Sequence, residues 1–192
     1  MLTRTMPLDY QPSFAADRSR SRRDAPEGLV EHYSTVLIKT QGEGPFLLQE
    51  RPRGENIQYP GRFSMFGGRR EGKETAEGCA VREVLEEAGL ELKPDDLTLL
   101  ARVESQNESG VVTSGHLFLS EGLPFDVLKD LDIKDGGGVF LKRNDIPRQW
   151  GRLTSITHFA IGAYEELDRL RGGRAGYSGG ADKSSFFSFL GR

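Results

Sequence analysis

Between Gly67 and Leu90 the chain reads GGRREGKETAEGCAVREVLEEAGL, which places the carboxylates of Glu83, Glu86 and Glu87 within about one helical turn. Drawn at ~100° per residue, Ala76, Ala80, Val81, Val84, Leu85 and Ala88 fill one half of a helix, and the three glutamates share the other. Exposed like charges at this spacing cost about 0.2–0.5 kcal/mol per pair, and more where a loop excludes water. The arrangement therefore calls for a compensating cation. Three oxygen ligands with no His or Cys beside them suit a hard divalent ion, Mg²⁺ or Mn²⁺, which keeps waters for a phosphate to displace. Such an ion polarises a phosphoryl oxygen, activates a bound water and neutralises charge on a leaving phosphate. The indicated chemistry is phosphoanhydride hydrolysis. A calcium-sensor loop fits poorly, because its ligands alternate along a loop and these come from a helix.

A bare run of glutamates is ordinarily a solvated acidic face, and three neighbours weigh against that here. Gly67 and Gly68 read as a turn before the helix, where backbone approaches a ligand closely. Gly89 is the expected helix stop. Arg82 and Glu74 have the right signs to pair and hold the preceding loop against the helix.

The segment from Gly68 to Leu90 resembles the signature of the Nudix hydrolase family: Gly, five residues, Glu, seven residues, Arg-Glu, an aliphatic, any residue, Glu-Glu, any residue, Gly, an aliphatic. Gly68, Glu74, Arg82, Glu83, Val84, Glu86, Glu87, Gly89 and Leu90 fill its fixed positions. The resemblance implies a Nudix-like α/β/α sandwich with a mixed β-sheet. It also implies cleavage of a nucleoside diphosphate linked to another moiety, with Mg²⁺ or Mn²⁺. Glu83, Glu86 and Glu87 then correspond to metal ligands, with the Gly67 carbonyl a further one; Arg82 orients the glutamates and Glu74 is its structural partner. Members often add a later acidic residue as ligand or general base. Asp135 in KDGGG stands where it is expected, with Glu104 and Glu108 as competitors, although Asp-Gly is also an ordinary turn. The approach FSMFGG departs from the frequent Trp-x-Phe-Pro-Gly-Gly, with Phe63 for Trp and Phe66 for Pro, which bears on substrate shape rather than on the metal site. Two alternatives go with the resemblance. One is a non-hydrolytic nucleotide-binding regulatory module, which has no need of the full acidic set. The other is isopentenyl diphosphate isomerase chemistry, weakened because the one cysteine, Cys79, lies inside the motif helix.

Elements that would position this motif are legible around it. HYSTVLIKT and PFLLQER, joined by QGEG, read as a hairpin, and RFSMF as a short strand before the motif. DLTLLARVES and VVTSGHLFLS follow as strands, then a short helix FDVLKDL, a strand GGVFLKR and a helix from near Leu153. In that helix Leu153, Ile156, Phe159, Ala160, Ala163, Leu167 and Leu170 recur at helical spacing, predicting one face packed on a sheet. The order β-β-β-α-β-β-α-β-α describes a mixed sheet with helices on its faces.

The 192 residues, 36% hydrophobic and 29% charged, divide into a lead-in over 1–28, a domain over 29–170 and a Gly-rich tail over 171–192 carrying Phe186, Phe187 and Phe189. Arg18, Arg20, Arg22 and Arg23 in the lead-in are interspersed with Asp17 and Asp24, so a solvated segment is expected there. The tail is expected to be a flexible spacer with an aromatic end that docks or stays free. A net charge of -3 gives no bias toward DNA, RNA or a membrane, so the expected partner is a small-molecule nucleotide. No run approaches ~18 apolar residues, and one cysteine allows no internal disulfide; both fit a cytoplasmic protein. The resemblance leaves room for a homodimer. His32, His116 and His158 read as structural or exposed, Trp150 and Phe140 as packing residues, and Arg51 and Arg53 equally as phosphate contacts or solvated strand-end charges.

Overall fold

A computed structural model describes residues 30–172 apart from 56, 107–111 and 135. These described residues form seven strands: β1 (Val30–Thr40), β2 (Phe46–Glu50), β3 (Phe63–Ser64), β4 (Phe66–Arg69), β5 (Thr98–Gln106), β6 (Val112–Leu123) and β7 (Gly137–Leu141). Four helices accompany them: α1 (Ala76–Ala88), the single turns α2 (Phe125–Leu128) and α3 (Ile146–Gln149), and α4 (Ser155–Leu170).

The sheet is mixed, with the path β3-β2-β1-β6-β5. β1 runs parallel to β6 along its whole length, and the other pairings are antiparallel. One edge of β1 is thus committed to β6. Its other edge is divided: Tyr33 to Val36 pair with β4, and Ile38 and Lys39 pair with β2. The sheet forks there, with β3 and β7 on the β2 branch.

Alternation along β1 and β6 separates two cores, as the period of two requires. Val36, Ile38 and Phe118 join Ala80, Val84 and Ala88 of α1 on one face. Tyr33, Leu37, Leu117 and Leu119 join Ala160, Ile161 and Tyr164 of α4 on the other. This is the expected α/β/α sandwich. No helix among the described residues is long and apolar enough to cross a membrane.

Both long helices bury narrower faces than their periodicity predicts. In α1 Leu85 is 45% exposed, and the buried set is Ala76, Cys79, Ala80, Val84 and Ala88, small residues that let the helix approach the sheet. In α4 Phe159 and Leu170 are exposed; Thr157, Ile161 and Tyr164 take the buried positions. A helix on a twisted sheet covers only its central stripe, so apolar residues flanking that stripe stay at the rim. The predicted third strand is two, β3 and β4, with Met65 between them. Phe63 and Phe66, the departures at that approach, are both buried, one in each core.

Gly67 and Gly68 do not form a turn; they lie in β4, opposite Thr35 and Ser34 of β1. Gly67 has φ +143°, and a methyl group there would come within 2.6 Å of Thr35 Cα. Glycine is needed because strand backbones meet tightly, and the loop to α1 begins only after Arg69.

Candidate active site

α1 has a defined start and stop. Thr75 accepts a hydrogen bond from Gly78 N–H at 3.0 Å, and Gly89, at φ +64°, ends the helix with its N–H on Leu85 O. Three turns between these caps carry the acidic face toward β4. Glu87 Oε2 accepts from Gly67 N–H at 2.9 Å. Glu83 reaches over Gly68, where a methyl group would lie 2.6 Å from Glu83 Oε2. The paired glycines therefore let two carboxylates rest against bare backbone.

Arg82 supplies part of the positive charge at this face and pairs with Glu74 as their signs suggest. Its Nη2 donates to Glu74 Oε1 at 2.9 Å and to the Arg69 carbonyl, and its Nη1 donates to Glu83 Oε1 at 2.9 Å and Glu86 Oε2 at 3.1 Å. One guanidinium so binds three carboxylates and closes the loop from Arg69 onto α1, a task its planar fork performs better than an ammonium. Arg70 adds to this by donating to the Glu74 carbonyl.

The hydrogen bond from Arg82 holds the Glu74 carboxyl down at about 2. Because its folded value lies below the ordinary 4.5, the stability this contact contributes is complete above pH 4.5 and is lost as pH falls toward 2. Glu74→Gln is expected to cost about 1–2 kcal/mol at neutral pH. It should also remove that part of the acid sensitivity. Thermal unfolding of both proteins from pH 7 to 2.5 checks this, and parallel curves would refute it. Glu83 moves the opposite way: burial raises it, against the pull of Arg82. Arg82 itself is raised, first by its hydrogen bond to Glu74.

Among the described residues no three carboxylate, imidazole or thiol side chains converge on one point as a ready ligand shell. Glu86 is the most exposed of the trio, with 58% of its side chain accessible, and is turned to Arg82. Glu83, Glu87 and Gly67 all line one cavity of about 390 Å³, which makes them the inner part of the set. The donors are oxygens and the helix holds them within one turn, so the residue types fit a hard divalent ion.

The same cavity extends onto the α4 face. Its walls include Thr35, Arg51, Gln58, Tyr59, Met65 and Ile156. Arg51, one of two open possibilities in the sequence, lies in this wall, and its Nε fixes the loop through the Gln58 carbonyl at 2.7 Å. Arg53 points to solvent with a 3.7 Å pairing to Glu50. Sequence reasoning missed Thr35, Tyr59 and Thr154, which carry no motif and reach the site only through β1, a loop and the start of α4. Of the later acidic residues, Asp135 and Glu108 lie outside the described residues, and Glu104 stands on β5 away from the cavity wall. Cys79 is fully buried, its thiol pushed up to about 11 by burial and the Glu74 charge. This opposes a role as nucleophile or acid. Trp150 stacks on His158 at 3.9 Å at the surface, and Phe140 packs on Phe125.

A two-faced mixed sheet thus carries a carboxylate-bearing helix beside a cavity of about 390 Å³. The NUDIX domain model matches residues 30–126, and the chain belongs to that family. Solved structures with the same fold include the E. coli ORF135 protein, at 20% identity and a TM-score of 0.56, covering 74% of this chain and 94% of that one. A MutT protein from Methanosarcina mazei Go1 has 18% identity and a TM-score of 0.55, covering 77% and 99%. A bifunctional NMN adenylyltransferase/ADP ribose pyrophosphatase from Francisella tularensis, solved with AMP and a Mn ion, has 16% identity and a TM-score of 0.55, covering 75% and 43%. No curated protein matches the chain in sequence.

Proposed function

We propose that this protein hydrolyses a phosphoanhydride bond in a nucleoside diphosphate linked to another moiety, using Mg²⁺ or Mn²⁺. The observation that carries the reading is the glutamate trio on one helix, with Glu83 and Glu86 bound by Arg82, Glu87 held by Gly67 N–H, and Glu83 and Glu87 lining the cavity. The Francisella tularensis relative, complexed with AMP and a Mn ion, supports it. Glu83, Glu86 and Glu87, with the Gly67 carbonyl, would hold the ion. When bound, the ion supplies charge neutralisation on the diphosphate and lowers the pKa of its water.

The chain's own residues do the rest. Arg82 holds Glu83 and Glu86 in place so that little reorganisation accompanies reaction. In this reading the diphosphate lies at the glutamates and its nucleoside along the α4 face of the cavity. Water attacks a phosphorus, a new P–O bond forms, the bridging P–O bond breaks, and the water's proton passes to a carboxylate. Asp135 is the candidate for that acceptor. A nucleotide panel with Mg²⁺ or Mn²⁺, spanning ADP-ribose, dinucleoside polyphosphates, NADH, nucleotide sugars and oxidised nucleoside triphosphates, tests the proposal through mononucleotide and phosphate release. Metal-dependent cleavage of one compound is expected. Silence across the panel with nucleotide binding retained would instead identify a regulatory binding module.

A further inference from the structure

Of the sheet's long strands, β5 has a partner on one side only. Among the described residues β6 pairs with it between Thr98 and Gln106 and no other backbone meets it, so its outer edge offers a row of N–H and C=O groups. The strand has 9 residues, and a bulge between Leu99 and Ala101 interrupts its register, so its regular part begins at Ala101. An edge of this kind is a template for another strand unless something blocks it.

The two faces of β5 differ. Ala101 and Val103 pack toward the α4 core. Arg102 and Glu104 stand on the other face, opposite His116 and Ser114 of β6, and the α1 core includes no residue of β5. Both charged residues are exposed, and neither has an ion-pair partner among the described residues.

Charges on an edge strand ordinarily turn away any incoming strand. These two have opposite signs and flank one apolar residue, and that spacing selects a partner. When two copies of one strand pair antiparallel in a continuous sheet about a two-fold axis at a given residue, the residue before the axis in one copy faces the residue after it in the other. With the axis at Val103, Arg102 of each copy faces Glu104 of the other, and the two valines meet on the α4 face. An axis at Arg102 or at Glu104 instead sets that residue against its own copy, and like charges directly opposite destabilise a strand pair. One register alone satisfies both charges.

We infer that the outer edge of β5 is a docking surface for a second copy of this chain, paired antiparallel about Val103 so that two Arg102–Glu104 contacts close across the junction and the two sheets become one. Glu104, which stands away from the cavity wall, then serves assembly rather than chemistry. The inference is independent of the proposed hydrolysis.

Sedimentation velocity of the full chain at rising concentration tests it, with a dimer expected at a dissociation constant on the order of 10 µM, as suits a pairing of small area. Arg102→Glu and Glu104→Arg each turn two attractive contacts into repulsive ones and should raise that constant at least about tenfold. An equimolar mixture of the two single variants again sets opposite charges face to face and should dimerise like wild type. The double variant, with both charges exchanged, should do the same, and it keeps the test open where a single variant fails to fold. A monomeric wild type would overturn the proposal; protection of the β5 amides from hydrogen exchange in that monomer would give the edge to another segment of this chain. A dimer indifferent to both single variants would overturn it too, since the copies would then meet elsewhere. So would a mixture and a double variant that both stay monomeric.

Discussion

Glu87→Gln is expected to lower turnover by a factor on the order of 10³ while leaving the protein folded. The substitution keeps the shape of the side chain and an oxygen for the Gly67 N–H, which now bonds at 2.9 Å to Glu87 Oε2. What disappears is one negative charge among three glutamates on adjacent turns, so the free protein loses repulsion and its stability holds or rises slightly. Turnover with a cleaved substrate and circular dichroism melts of the same preparations check both halves. Glu86→Gln belongs in the same experiment. Its carboxylate is exposed and bound to Arg82 at 3.1 Å, so a smaller loss there than at Glu87 would place Glu86 at the rim of the ion site. Wild-type turnover in Glu87→Gln would remove the glutamates from the mechanism.

The two motif glycines should separate stability from activity. In Gly67→Ala the new methyl group meets backbone, overlapping Ser34 O and lying within 2.6 Å of Thr35 Cα, at a φ of +143° that alanine rarely adopts. Neither strand can yield without breaking the β1–β4 pairing, so a loss of about 3 kcal/mol or more is expected, with little folded protein at 37 °C. In Gly68→Ala the atoms nearest the methyl group are those of the Glu83 carboxylate. That is the far end of a flexible side chain, so it moves aside and the fold survives. Glu83 then leaves the position Arg82 gives it, and activity should fall by about 10²-fold with the melting temperature within a few degrees of wild type. Soluble expression, thermal melts and kcat/KM for both variants provide the comparison. Full activity in Gly68→Ala would show that the placement of Glu83 is not needed.

These two variants also show where the sequence is informative and where it is not. Glu83, Glu86, Glu87, Arg82, Glu74 and Gly89 are local: a helix period, two caps and a charge balance fix their mutual positions within 16 residues, so their grouping is readable from order alone. The same holds for the hairpin of β1 and β2 and, apart from the exposed Leu85, Phe159 and Leu170, for the two helical faces. Gly67 and Gly68 read as a turn because paired glycines usually are. They are strand residues because β1, more than 30 positions earlier, runs close beside them, and that approach is a property of the assembled sheet.

The rest of the cavity is non-local in the same sense. Thr35 faces it because β1 alternates between two cores, Tyr59 because Arg51 ties its loop, and Thr154 because α4 starts beside β3. None of these residues has a type or spacing that distinguishes it from an ordinary strand threonine, loop tyrosine or helix cap. Residue order alone is enough to group the acidic side chains, since charges one turn apart on one helix share a face whatever the rest of the chain does. Only the tertiary structure decided which side chains line the space beside those charges, since strands and loops distant in the chain meet there through packing.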